Sequence, residues 1–258
     1  MAATYVSGSA VGGDFSAGAD PWSITGPTGA AAGDWVIVAI EHQFSAAAPD
    51  SVPSGFIAGP TPHEGTTDGQ GRFYHGPFNT VGAGPYSWGW PASTQGCAVT
   101  LAIRGADPTT PLNVASTSID FDGASSTNWT CTGQTTTVAG CCVVGFGGCS
   151  PDGVGRTWAI TAGTTQRLAH QVTSHQLIVG TLDQTSAGSV TTAGTVTVAD
   201  KTYGVQYAFA PAPPGSVDMG WPASESLGMP QKSRSPLPMV VGPREDRIYA
   251  LQHRRPGA

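Results

Sequence analysis

The chain has 258 residues, a formal net charge of −6, 36 glycines and 21 prolines, and only 11% charged residues, where soluble domains carry about 25%. With 39% apolar residues and so little charge, wholesale disorder is excluded, and no apolar run approaches the ~20 residues of a membrane span. Helix formers with charged partners are scarce and no basic-then-apolar leader is expected, which leaves a loop-rich β chain with one sizeable core.

Residues 1–32 are small and glycine-punctuated, anchored by Tyr5, Val6, Phe15, Trp22 and Ile24. Gly33-Asp34 then leads into the apolar run Trp35–Ile40, followed by Glu41-His42; the pattern predicts a strand buried on both faces. After a stretch holding Pro49, Pro53, Gly55, Gly59, Pro60 and Pro62, residues 72–75 and 86–90 read as aromatic strands. Residues 97–104 read as a second central strand, stopped by Asp107-Pro108 and Pro111. In the second half the candidate strands are 113–119, 141–146, 157–161, 166–170, 176–182 and 201–209. About ten strands, no capped amphipathic helix and no repeat of fixed period predict an all-β fold, a single sandwich over residues 1–210.

Beyond Ala210 the composition changes. Residues 1–210 hold 5 Lys/Arg and 13 Asp/Glu, a net of −8, whereas residues 211–258 hold 6 and 4, a net of +2. Pro222, Pro230, Pro236, Pro238, Pro243 and Pro256 exclude most regular structure there. Two apolar clusters remain, Met239-Val240-Val241 and Ile248-Tyr249-Ala250-Leu251, set among Arg244, Arg247, Arg254 and Arg255. These are the residues of an extended arm that docks on a partner, because apolar anchors and arginine supply most interface energy; the plainer alternative is a solvated tail. The dispersed arginines and the acidic body do not make a nucleic-acid surface.

Signatures of catalysis are scarce. There is no G-x-S-x-G elbow, Walker loop, H-E-x-x-H or EF-hand loop, and Gly145-Phe146-Gly147-Gly148 reads as strand glycine. Cys97, Cys131, Cys141, Cys142 and Cys149 lack a C-x-x-C spacing and read as buried apolar residues, so no cofactor is expected. His170 and His175 flank a turn and can converge on a metal, although unliganded histidines are the commoner outcome. Asp120 and Asp122 share a strand face; with Glu41 or Asp34 across the sheet they can form an acid/base pair, and at a strand end they are simply solvated. Tyr86, Trp88 and Trp90 also share a face: exposed, they make a sugar-stacking platform, and buried, the bulk of a core short of large residues. Asn128-Trp129-Thr130 matches a glycosylation sequon, of little weight without a secretory signal.

One constellation points to a family. Gly33–Ile40 is followed by Val52-Pro53-Ser54-Gly55-Phe56, the aromatic Phe73-Tyr74-His75, then Ala98-Val99-Thr100-Leu101-Ala102-Ile103-Arg104-Gly105-Ala106-Asp107-Pro108-Thr109-Thr110-Pro111-Leu112 and finally Tyr203–Ala212. This order resembles the jelly-roll-like β-sandwich domains of virion structural proteins, of minor tail type, in tailed bacteriophages of actinobacteria. Ile103 stands where an aromatic is usual, and the arm is not part of the shared pattern. The resemblance implies a jelly-roll-like sandwich without catalytic residues. It also implies residence in the virion, after assembly in the host cytoplasm, with other virion proteins of tail or capsid and copies of itself as partners. Capsid decoration is the second reading, and a module gripping host-surface glycan through Tyr86, Trp88 and Trp90 the third.

Overall fold

The computed structural model describes residues 1–16, 20–43, 49–62, 69–90, 95–120, 125–149, 156–171 and 175–214, all within one compact unit. Its first half forms β1 (Thr4–Tyr5), β2 (Val11–Phe15), β3 (Trp22–Ile24), β4 (Trp35–Gln43), β5 (Ile57–Ala58), β6 (Gly69–Pro77), β7 (Tyr86–Trp88) and β8 (Gly96–Arg104). The second half forms β9 (Leu112–Asp120), β10 (Ser126–Thr130), β11 (Gln134–Thr136), β12 (Cys141–Cys149) and β13 (Trp158–Ala162). It continues with β14 (Thr165–Gln171), β15 (Gln176–Gln184), β16 (Gly188–Val190), β17 (Ala193–Asp200) and β18 (Tyr203–Phe209). A single turn of helix, α1 (Phe78–Val81), is the only helix among the described residues.

The fold is all-β, with two large antiparallel sheets. One runs β1–β8–β4–β6–β5, with β2 also paired to β8; the other runs β14–β15–β12–β18–β9. Their facing sides share one core, in which Trp35, Ile37, Leu101 and Phe73 of the first sheet meet Val144, Phe146, Tyr207 and Phe209 of the second. This is a sandwich, as the number and spacing of the expected strands predict. The strands beyond the expected ten or so belong mainly to three small sheets, β3–β7, β10–β17–β13 and β11–β16.

The path of the chain is a correction. A jelly roll winds two Greek keys through both of its sheets, but every strand of the first large sheet precedes every strand of the second. Each half completes its own antiparallel pairings through local connections before the chain moves on, the cheaper route in loop entropy.

The small sheets explain why the central strands lack alternation. Strands β3 and β7 lie over the outer face of the first sheet, packing Trp22, Tyr86, Trp88 and Trp90 on Val36, Val38 and Ile40. Over the second sheet, Trp129, Trp158 and Val196 cover Ile178 and Cys149, and Val190 covers Val143 and Ala208. Buried on both faces, β4, β8 and β12 require apolar or small residues at nearly every position. Polar tethers fix the covers. Thr100 Oγ1 donates to the Thr25 carbonyl at 2.9 Å, and the buried Gln206 accepts from the Thr192 amide at 2.9 Å and donates to the Val190 carbonyl at 2.9 Å.

Candidate functional site

The described ionisable groups that meet inside the core do so at one end of the sandwich. On β4 the inward parity of Trp35, Ile37 and Ala39 carries to Glu41, which is fully buried. From the opposite sheet, Tyr203 at the start of β18 donates its hydroxyl proton to Glu41 Oε2. His175, next to the start of β15, brings Nδ1 to 3.9 Å from Glu41 Oε1. Cys97 faces Glu41 as its registered partner on β8. Gly148 leaves the room, since a Cβ there would stand 2.2 Å from the Tyr203 hydroxyl.

Electrostatics follow from enclosure. Burial pushes the Glu41 carboxyl up, and the His175 and Tyr203 contacts offset only part of that rise. Burial, with the Glu41 and Asp14 charges in support, likewise raises the Cys97 thiol. Glu41 therefore resists ionisation in a dry interior, with the His175 ring beside it. Glu41, His175 and Tyr203 are each at most 1% exposed, so the cluster ties the two sheets together and presents no reacting atom to a solute. Among the described residues no three His, Cys, Asp or Glu side chains converge in a way that would hold a metal.

The residues singled out in the sequence are distributed differently from the expected groupings. His170 and His175 do not converge: His170 of β14 pairs with Asp14 of β2, while His175 faces Glu41. Asp34 is engaged by Arg104, whose Nε and guanidinium Nη2 donate to its two oxygens at 2.9 and 2.8 Å. Asp120 ends β9 opposite Tyr203, and Asp122 lies outside the described residues. Glu41 was visible in the sequence as a candidate acid. Its partners were not, because Tyr203 lies 162 residues away and only the sheet-on-sheet packing brings them together.

Tyr86, Trp88 and Trp90 are corrected as a glycan platform. Tyr86 is 3% exposed and both tryptophans are fully buried. Trp90 stacks on Trp22 with ring centres 4.7 Å apart, and Tyr74 and Phe56 press on Trp88. The outer face of the first sheet needs bulk, and these rings supply it. Gly145 to Gly148 lie within β12; a Cβ at Gly147 would come within 2.8 Å of the Trp129 ring. All five cysteines are buried and none forms a disulfide.

The segment around Asp107, the strongest part of the family pattern, is a turn. Asp107 Oδ1 accepts from the Thr109 amide at 2.8 Å and the Thr109 hydroxyl at 2.7 Å, and Oδ2 from the Thr110 hydroxyl at 3.0 Å. Against the upward push of desolvation, these bonds hold the carboxyl down at about 2. The arm residues Met239, Val240, Val241, Arg244, Arg247, Ile248, Tyr249, Leu251, Arg254 and Arg255 lie outside the described residues.

No family model, curated protein or solved structure matches the chain.

Proposed function

We propose that this chain is a non-enzymatic structural protein of a bacteriophage particle, of the minor tail type, whose sandwich body is held on its neighbours by the 211–258 arm. The observation that carries the reading is the closure of the body: the buried carboxyl–imidazole–phenol cluster is reached by nothing in solution, and both large sheets are covered on their outer faces.

The sheet edges are guarded as well. After β5 the chain runs on beside β6 through Pro60 and Pro62, with the Gly59 amide donating to the Phe73 carbonyl at 2.7 Å; proline on an edge refuses a further strand. Along β9, Gln134 Nε2 donates to the Ala115 carbonyl at 2.7 Å and Thr137 N to Asn113 Oδ1 at 2.7 Å. The β14 edge carries Arg167 and His170. A body closed in this way leaves attachment to the basic, proline-rich remainder, whose apolar clusters suit a docked arm. The quoted family pattern favours the tail over capsid decoration.

The test is a phage encoding the chain only as far as Pro214. The body is expected to fold as in the full protein, with one cooperative melt, and to be missing from purified particles. Incorporation at full-length levels would overturn the arm's role. Copy number in intact particles separates the two locations: a handful per particle supports the tail, hundreds the capsid.

A further inference from the structure

The two large sheets repeat one plan. Read from the edge held by β1 and β2, one sheet is β2–β8–β4–β6–β5, and read from β9 the other is β9–β18–β12–β15–β14. In each, the last strand of the half lies between the first and the central strand. The central strand's other neighbour is followed by the strand that precedes it in sequence.

Register repeats with the order. Trp35 pairs with Ile103 and Glu41 with Cys97, just as Cys142 pairs with Phe209 and Gly148 with Tyr203, 107 residues on for the central strand and 106 for the last. Asp14↔Cys97 has its counterpart in Asp120↔Tyr203, and Ile57↔His75 in Thr165↔Thr181. The covers follow suit: Trp22↔Trp88 matches Trp129↔Gly194, and the isolated bridge Ser51↔Gly89 matches Ala159↔Thr195. Across all these pairs the shift stays between 106 and 108 residues, and it changes only between strands. Two turn glycines with left-handed backbones recur at the same shifts, Gly33 (φ 87°) with Gly140 (φ 79°) and Gly55 (φ 91°) with Gly163 (φ 82°). Register is strictly specified wherever a face is buried, and two unrelated sheets have no reason to share so many pairings.

The halves also meet symmetrically. Strand β15 packs on β4 as β6 packs on β12. Beyond β8 and β18 the chain segments cross: Ala106 bridges Pro211, the Asp107 amide donates to the Ala210 carbonyl at 2.9 Å, and the Ala212 amide to the Gly105 carbonyl at 2.9 Å. Exchanging 105 with 210, 106 with 211 and 107 with 212 interchanges the two bonds, one residue short of the shift of the preceding strands, so a local pseudo-twofold passes through the crossing. Equivalent inner-face positions trade volume, Ala39 for Phe146, Trp35 for Cys142 and Cys97 for Tyr203. The shared core is thus filled once, with bulk supplied from alternate sides.

We infer that residues 1–107 and 108–214 are two copies of one β unit, and that the inner face of each is a dimerisation surface whose partner is the other copy. The connection through Thr109 and Thr110, at the start of the second unit, then serves as the tether between partners. Met1 and Ala2 line one open groove with residues 210–214, so the symmetric gap between the end of the second unit and the start of the first is also short.

The experiment cuts the full chain at the Pro108–Thr109 peptide bond in two ways. In one, fragments 1–108 and 109–258 are produced together. In the other, a circular permutant runs from Thr109 to Ala258 and on through Met1 to Pro108. The fragments are expected to co-purify one to one, and the permutant to melt cooperatively within about 10 °C of the parent, a few kcal/mol for a domain of this size. Recovery by either route supports the inference. Failure of both overturns it, and so does a 1–108 fragment that folds alone as a monomer, since a unit without need of its partner has no such surface.

Discussion

The two halves solve the same packing problem with different materials. The first half covers its sheet with two three-residue strands and closes the gap with rings: Phe15, Trp22 and Trp90 stack in series at 4.6 and 4.7 Å. The second half uses broader sheets, β10–β17–β13 and β11–β16, laid on glycines that let the covers approach closely. In the shared core the balance reverses, with Ala39 and Cys97 on the first side facing space filled by Phe146 and Tyr203 on the second. The lesson is that register and layer order are kept while side-chain volume moves freely between equivalent positions, as tolerance of volume-conserving change leads one to expect.

That comparison can be broken at its most heavily loaded points. Trp22 and Trp129 occupy equivalent cover positions and are both buried. Trp22→Ala and Trp129→Ala are each expected to cost about 4 kcal/mol in urea or thermal unfolding, Trp22→Ala slightly more because it ends two stacks. A loss confined to one half would show that the covers do not carry equal weight.

Acid sharpens it further. His75 is 5% exposed, and burial lowers its imidazole from 6.5 to about 4; its counterpart in the second half is Thr181. The unfolded chain accepts a proton that the folded chain resists. Stability is therefore full above the free imidazole value, falls as pH drops through it, and has lost about 3 kcal/mol once pH reaches about 4. Glu41 works in the opposite sense: its raised carboxyl penalises the fold above the free carboxyl value and relieves it in acid. His75→Thr, which copies the second half, should remove the acid loss seen in denaturant midpoints between pH 7 and 4. An unchanged limb would place the weakness elsewhere.

The smallest effect concerns a contact present on one side only. Asp34 and Arg104 form a bidentate pair beside the entry to β4, where the second half has Cys141 and Ala210. Arg104 is 49% exposed, so solvent screens the pair and Asp34→Asn should cost only about 1 kcal/mol, less at high salt. A thermal scan at two ionic strengths checks both the size and the screening.

Much of the architecture was legible in the residues. The apolar runs at β4, β8, β12, β15 and β18 announce themselves because covers on both sides leave no polar face, and Gly33 and Pro108 mark real boundaries. The duplication was not legible, and the reason is physical. Few equivalent positions keep the same residue, among them Trp22 and Trp129, Val36 and Val143, Val99 and Val205, and Ala102 and Ala208. Volume exchange across the axis erased the rest, and the spacing slips by one or two residues in loops. The interior cluster was half legible: Glu41 stood out as a carboxylate in an apolar run, while Tyr203 resembled an ordinary strand residue and His175 stood out only beside His170.

Several of the 36 glycines mark points of tightest approach. A Cβ at Gly204 would stand 2.2 Å from the Thr130 carbonyl oxygen, at Gly194 2.1 Å from that of Ala159, and at Gly96 2.2 Å from that of Glu41. Backbone meets backbone at these points and neither side can retreat. Under random mutagenesis such sites will tolerate almost no replacement, while the exposed threonines and serines between them change freely. A lineage built this way can rewrite most of its letters and still keep its outline.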